Sequence, residues 1–217
     1  MSENVKSPVQ YSADPLTRER RDALSPDDII TLMLDGNRRF MTGTQVPRDM
    51  LVEQRGTIAG QSPAAISLTC IDSRTPVEII CDLGIGDTFN ARIAGCVVND
   101  DVLGSMEYAC AVSGARLVAV MGHTACGAIQ GAIDDIVLGN LTGLLSSIKQ
   151  AVRETRYEGE RTSANPLFVD LVARNHVLRM VAVIRERSAV LRELEVAGKI
   201  KIIGCMYDIQ SAQISLL

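Results

Sequence analysis

Apolar residues in this chain fall into strand-length runs separated by stretches of helical period, and that alternation restricts the fold more than any other feature. The runs at 64–70 and 117–121 are too short for buried helices and are bounded by turn residues, Ser62-Pro63 before the first and Gly122 after the second. Unbroken apolar character of that length is typical of strands covered on both faces. A further strand is expected at 87–93.

Helical signatures lie between them. Ser25 as N-cap, Pro26 at the first position, and Asp27 and Asp28 in the first turn open a helix. Its Ile29, Ile30, Met33, Phe40 and Met41 recur at helical spacing, with Asn37 as a polar interruption. Thr75-Pro76-Val77-Glu78 reads as a capping box opening a short helix to about Leu83, with Gly84 as its stop. Asn99 caps a helix carrying Val102, Leu103, Met106, Ala109 and Cys110 on one face and ending at Gly114. Helical pattern returns over 125–137 and 144–156, and after a loop at 157–166 one long helix is expected over 167–196. The last two runs, 200–207 and 213–217, read as an antiparallel edge pair. The expected class is α/β: a mostly parallel central β-sheet flanked by helices, with an N-terminal helical arm and a C-terminal antiparallel edge strand. The polar segment 1–24 is expected to be a flexible or partner-wrapping arm, and 25–217 a single domain, since no linker or repeat divides it.

In an open parallel sheet, functional groups gather beyond the carboxyl ends of strands. Two segments put reactive side chains there: Cys70-Ile71-Asp72-Ser73-Arg74 and His123-Thr124-Ala125-Cys126. If their strands are neighbours, Cys70, His123 and Cys126 converge on one crevice. Two thiolates and one imidazole make a three-ligand zinc site with a fourth position left for water, the pattern of a catalytic zinc. The spacing of His123 and Cys126 suits one helical turn that turns both to the same side. Two thiolates also cancel the charge of Zn²⁺, so its water needs help to ionise near neutral pH. Asp72 could accept a hydrogen bond from that water or hydroxide, with Arg74 holding the carboxylate ionised by a paired contact. An Asp72 freed from Arg74 could instead become a fourth ligand and close the site.

Cys-x-Asp-Ser-Arg followed about 50 residues later by His-x-x-Cys-Gly resembles the β-class carbonic anhydrases, and the similarity extends over most of residues 26–217. Supporting matches are Gly36-Asn37-Arg38-Arg39-Phe40, Gly60-Gln61-Ser62-Pro63, Glu78-Ile79, Arg92-Ile93-Ala94-Gly95, Leu103-Gly104-Ser105-Met106-Glu107-Tyr108 and Tyr207-Asp208. The resemblance implies an enzyme with one Zn²⁺ per chain on Cys70, His123 and Cys126. Such an enzyme interconverts carbon dioxide and bicarbonate by attack of zinc-bound hydroxide. It further implies Asp72 and Arg74 as a catalytic dyad, Gln61 reaching the neighbouring subunit's substrate, and Gly127 beside the zinc. A homodimer or homotetramer built through the N-terminal arm and the sheet region is implied as well. Some positions depart from the family pattern. Ile93 stands where many members carry Asn, and Asn90 where an apolar residue is common, making the cleft more polar. Ser67 stands where members with a bicarbonate-operated inhibitory pocket carry Trp, and the chain has no Trp. Two other readings share the scaffold: a hydrolase of CS₂ or COS, which related enzymes turn over as linear CO₂ analogues, and a non-catalytic zinc scaffold.

Composition closes off other classes. A net charge of −4 provides no basic footprint for nucleic acid. The longest apolar stretches fall well short of the roughly 20 residues of a membrane span. The polar N-terminus has no apolar signal core, so a cytoplasmic setting is expected. There the six cysteines, which include no CxxC pair, stay reduced. Cys81, Cys110 and Cys205 are expected in the core, and Cys96 is the candidate stray thiol. His176, the second of two histidines, is expected on the surface or at an interface of a charged helix.

Overall fold

The computed structural model describes residues 14–217. Five strands form one sheet: β1 (Ala65–Thr69), β2 (Thr88–Arg92), β3 (Leu117–His123), β4 (Lys201–Tyr207) and β5 (Ile214–Leu216), in the spatial order β2-β1-β3-β4-β5. All neighbours pair parallel except β4 and β5, which form the expected antiparallel edge. Every residue of β3 is buried because both faces are covered. Val118 and Val120 enter one core layer, and Leu117, Ala119 and Met121 enter the other. β3 runs two residues past its expected end, since Gly122 and His123 still pair with Met206 and Tyr207.

The helices follow the sequence in part. The expected segment 1–24 is described only from residue 14 onward, and the rest lies outside the described residues. Within it, α1 (Arg18–Asp22) is capped by Thr17, and the buried Arg21 donates to the Ser113 carbonyl. The Leu16 N–H donates to Asp87 at 3.1 Å. α2 (Pro26–Thr42) begins with a full capping box: Ser25 Oγ accepts from the Asp28 N–H at 3.2 Å, and the Asp28 carboxylate accepts from the Ser25 N–H at 2.8 Å. α3 (Met50–Gly56) follows, capped by Asp49.

α4 (Val77–Ile80) is shorter than expected, and Thr75 does not cap it. The Thr75 hydroxyl instead donates to the Asp72 carbonyl at 3.0 Å, and Glu78 accepts from Asn90 at 2.7 Å. α5 (Asp100–Glu107), capped by Asn99, continues as a π-helical turn over Tyr108–Val112. α6 (Gly127–Ile133) starts later than the periodicity suggests, because Ala125 has a left-handed φ of 54° and Cys126 is extended. α7 (Gly139–Glu154) starts earlier.

The long helix expected over 167–196 is two, α8 (Pro166–Arg187) and α9 (Ala189–Val196). Ser188 breaks it: its backbone is extended, and its hydroxyl caps the Leu191 N–H at 3.1 Å while donating to Glu107 at 2.6 Å. α8 lies against β3 and β4 at two glycines. A Cβ on Gly122 would stand 2.6 Å from Val177, and one on Gly204 2.9 Å from the same residue. No described helix is long and apolar enough to cross a membrane.

Asn37, the polar interruption in α2, is buried and ties three elements together. Its amide donates to the Ile80 carbonyl at 3.0 Å and the Ala212 carbonyl at 2.9 Å, and its oxygen accepts from the Ile214 N–H at 2.9 Å. Asn37→Leu leaves three backbone groups unpaired, two of them buried, and is expected to destabilise the fold by about 3 kcal/mol. Thermal unfolding measures this, and an unchanged midpoint would show that Asn37 does not hold β5 to α2.

Candidate metal centre

β1 and β3 are neighbours in register, with Thr69 opposite Met121, so the chain leaves both strands at the same edge of the sheet. Cys70 follows β1 and His123 ends β3. Cys126 arrives by a tight turn through the left-handed Ala125, not by the helical turn its spacing suggests. All three residues are buried, and their ligand atoms lie within 4.8 Å of one another.

The donor chemistry fits zinc. His123 Nδ1 donates to the Thr124 carbonyl at 2.9 Å, which fixes the tautomer and leaves the Nε2 lone pair free. That Nε2 is buried without a hydrogen-bond partner, as expected of an atom built to bind a cation. The Gly95 N–H points at Cys70 Sγ from 3.4 Å. A hydrogen bond from the Cys126 thiol holds the Cys70 thiol well below the usual range, and the same pairing pushes Cys126 up. Two sulfurs thus compete for one negative charge, and a divalent cation among them would stabilise both as thiolates.

Asp72 and Arg74 form the expected pair. Arg74 Nε and Nη2 reach the two carboxylate oxygens at 2.9 and 2.8 Å, and the Arg74 N–H adds a third bond at 3.0 Å. These bonds hold the Asp72 carboxyl well below the ordinary carboxylate range. Its Oδ2 stands 4.0 Å from His123 Nε2. Asp72 is therefore paired to Arg74 in this structure. Gln61 is exposed on the loop before β1, beside Gly86, and among the described residues it makes no hydrogen bond to the cluster. Gly127 is exposed next to Cys126, with open space where a Cβ would point.

The sequence reading assigned no role to Arg92, which donates to the carbonyls of both Cys70 and Asp72 and so braces the loop from β2. Its place in the Arg92-Ile93-Ala94-Gly95 match was the only available signal. His176 is not on the surface. It is buried on α8, neither ring nitrogen has a hydrogen-bond partner, and burial pushes its pKa down to about 4. The charged neighbours Arg174 and Arg179 suggested exposure, but His176 shares the inward face with Val172, Ala173 and Val177. Cys81, Cys110 and Cys205 are core residues, with burial raising Cys110 and Cys205 to about 12. Cys96 is buried and donates its thiol to the Met121 carbonyl at 3.1 Å.

Comparison with known proteins agrees with this geometry. The family model for carbonic anhydrase matches residues 65–214. Carbonic anhydrase 2 of Mycobacterium tuberculosis is 36% identical over 181 residues, covering 82% of this chain and 86% of the relative. The carbonic anhydrase of Mycolicibacterium smegmatis is 33% identical over 184 residues, covering 84% and 88%. In fold, the chain is similar to one of two tetrameric β-carbonic anhydrases of Sordaria macrospora, with a TM-score of 0.67 at 24% identity over 73% of this chain and 82% of that one. The β-carbonic anhydrase of Coccomyxa gives a TM-score of 0.68 at 16% identity over 87% and 86%. A cysteine–histidine–cysteine cluster at the carboxyl edge of a mostly parallel sheet, in a chain this similar to those enzymes, places it in the carbonic anhydrase family, in the β class.

Proposed function

We propose that this chain catalyses the reversible hydration of carbon dioxide to bicarbonate and a proton, with Cys70, His123 and Cys126 as ligands of the zinc that enzymes of this family use. One observation carries the reading: an Arg-held carboxylate stands 4.0 Å from the unpartnered nitrogen of a buried Cys–His–Cys cluster. Zinc held by Cys70, His123 and Cys126 would supply a Lewis acid for the ionisation of water, weakened by the charge of its two thiolates so that neighbouring groups must assist. With zinc held by these residues, Asp72 Oδ2 would accept a hydrogen bond from a hydroxyl group beside the cluster and so orient it toward a bound CO₂. Arg74 keeps that carboxylate ionised and fixes its direction, and Arg92 holds the loop that carries it. Gly127, next to Cys126 and with nothing within 4 Å of where a Cβ would stand, is assigned in this reading to the substrate side of the cluster.

Gln61 extends the proposal to an assembly. Gln61 is exposed, and in this reading it would hydrogen-bond substrate in a second copy within a homodimer or homotetramer. Exposed apolar residues near the β2 edge, Ile71 and Tyr108, support such an interface. In this reading residues 25–217 act as one zinc-binding unit.

Cys70→Ala and His123→Ala are expected to abolish both zinc and activity, because binding needs the whole ligand set. Metal analysis checks this, and stoichiometric zinc in either variant would overturn the assignment. Asp72→Asn is expected to keep its zinc and lose on the order of 10²-fold in hydration at neutral pH, whereas near-normal turnover would remove Asp72 from the mechanism. The function itself is tested by stopped-flow CO₂ hydration on zinc-quantified protein, where fast turnover is expected. Sulfide release from CS₂ or COS without CO₂ hydration would favour the hydrolase. Full zinc with no turnover of any of these substrates would favour the scaffold.

A further inference from the structure

The turn that joins His123 to Cys126 has only two residues, and the structure secures them differently. Thr124 is held from the strand side: its N–H donates to the Tyr207 carbonyl at 3.0 Å, and its hydroxyl accepts from the Ile209 N–H at 3.0 Å. Its carbonyl takes the His123 Nδ1–H. Ala125 has no such frame. It is exposed, so packing does not fix it, and its φ of 54° lies in the left-handed region that a residue with a Cβ avoids. Relaxing that angle would rotate the chain immediately before Cys126 and carry its sulfur away from Cys70 and His123. One bond opposes this: the Ala125 N–H donates to Asp170 Oδ1 at 3.1 Å. Asp170 is half-buried near the amino end of α8, lining a pocket with Thr124, Arg174 and Asp208.

We infer that Asp170 is a positioning residue of the metal centre: its carboxylate clamps the strained Ala125 N–H and thereby sets where the Cys126 sulfur stands. Asp170 touches no ligand atom and acts entirely through the backbone of the turn. α8 also presses on Gly122, next to His123, so one helix steadies the turn at both of its ends. The inference rests on the reading that Cys70, His123 and Cys126 hold zinc.

The test follows zinc release from the full-length holoenzyme to a chromophoric chelator, with cobalt absorption of the substituted enzyme as a readout of ligand geometry. Removing the acceptor in Asp170→Ala is expected to speed release by about 10- to 100-fold and to shift the cobalt bands. Asp170→Asn keeps an oxygen acceptor and is expected to stay within about threefold of the parent. Because glycine adopts the left-handed conformation freely, adding Ala125→Gly to Asp170→Ala is expected to recover most of the slow release. If Asp170 served only general packing, glycine would add freedom to the turn and recover nothing. Parental release from Asp170→Ala, or no recovery in the double variant, would overturn the clamp while leaving the ligand assignment standing. A parent protein that holds no stoichiometric zinc would overturn the assignment and the clamp together.

Discussion

The candidate metal centre depends on β1 and β3 pairing parallel, which brings the residue after β1 and the last residue of β3 to the same edge of the sheet. Thr69 stands opposite Met121, which brings Cys70 level with Gly122, one residue before His123, although Cys70 and His123 lie 53 positions apart in sequence. A register shift of one residue would turn one ligand to the opposite face. That register is protected from both sides: the alternate side chains of β3 enter two separate core layers, and a one-residue slip would exchange the two sets and mismatch the packing of both layers. The sheet's packing therefore also determines the geometry of the site.

Electrostatics then decides what the cluster can do. Without a cation, two buried sulfurs and an imidazole share too little positive charge, and the Cys70–Cys126 pair divides one proton unequally. The arrangement makes sense as a cation site with an unpartnered nitrogen facing the sulfurs. Because two thiolates would neutralise most of a bound zinc's charge, the proposed role of Asp72 leans on the groups that fix it more than it would around three imidazoles. Three bonds from Arg74 serve that purpose, and Arg92 and Thr75 tie down the carbonyls of the same loop. A carboxylate so constrained has one direction in which to accept a hydrogen bond.

Much of this was legible in the sequence where local chemistry and tertiary context agree. The Ser25-Pro26 start of α2, the buried run of β3, the antiparallel C-terminal pair and the convergence of the three ligands were all readable, because each is written in contiguous residues or in strand order. The misreadings occur where distant contacts override a local signal. Thr75 has the form of a cap, but its hydroxyl serves the Asp72 carbonyl. The periodicity of 167–196 is continuous, but Ser188 caps a new helix and binds Glu107. His176 is flanked by arginines in sequence yet faces the core in space. No pattern in the chain announces that Ala125 is left-handed, since glycine is the usual marker for that conformation.

X-ray absorption at the zinc edge of the purified protein tests the central claim most directly, because it counts the atoms around the metal. The account predicts two sulfurs at about 2.3 Å and two lighter nitrogen or oxygen atoms at about 2.0–2.2 Å, one from His123 and one from a ligand that is not a protein thiol. A shell of three or four sulfurs, or one without sulfur, would contradict it.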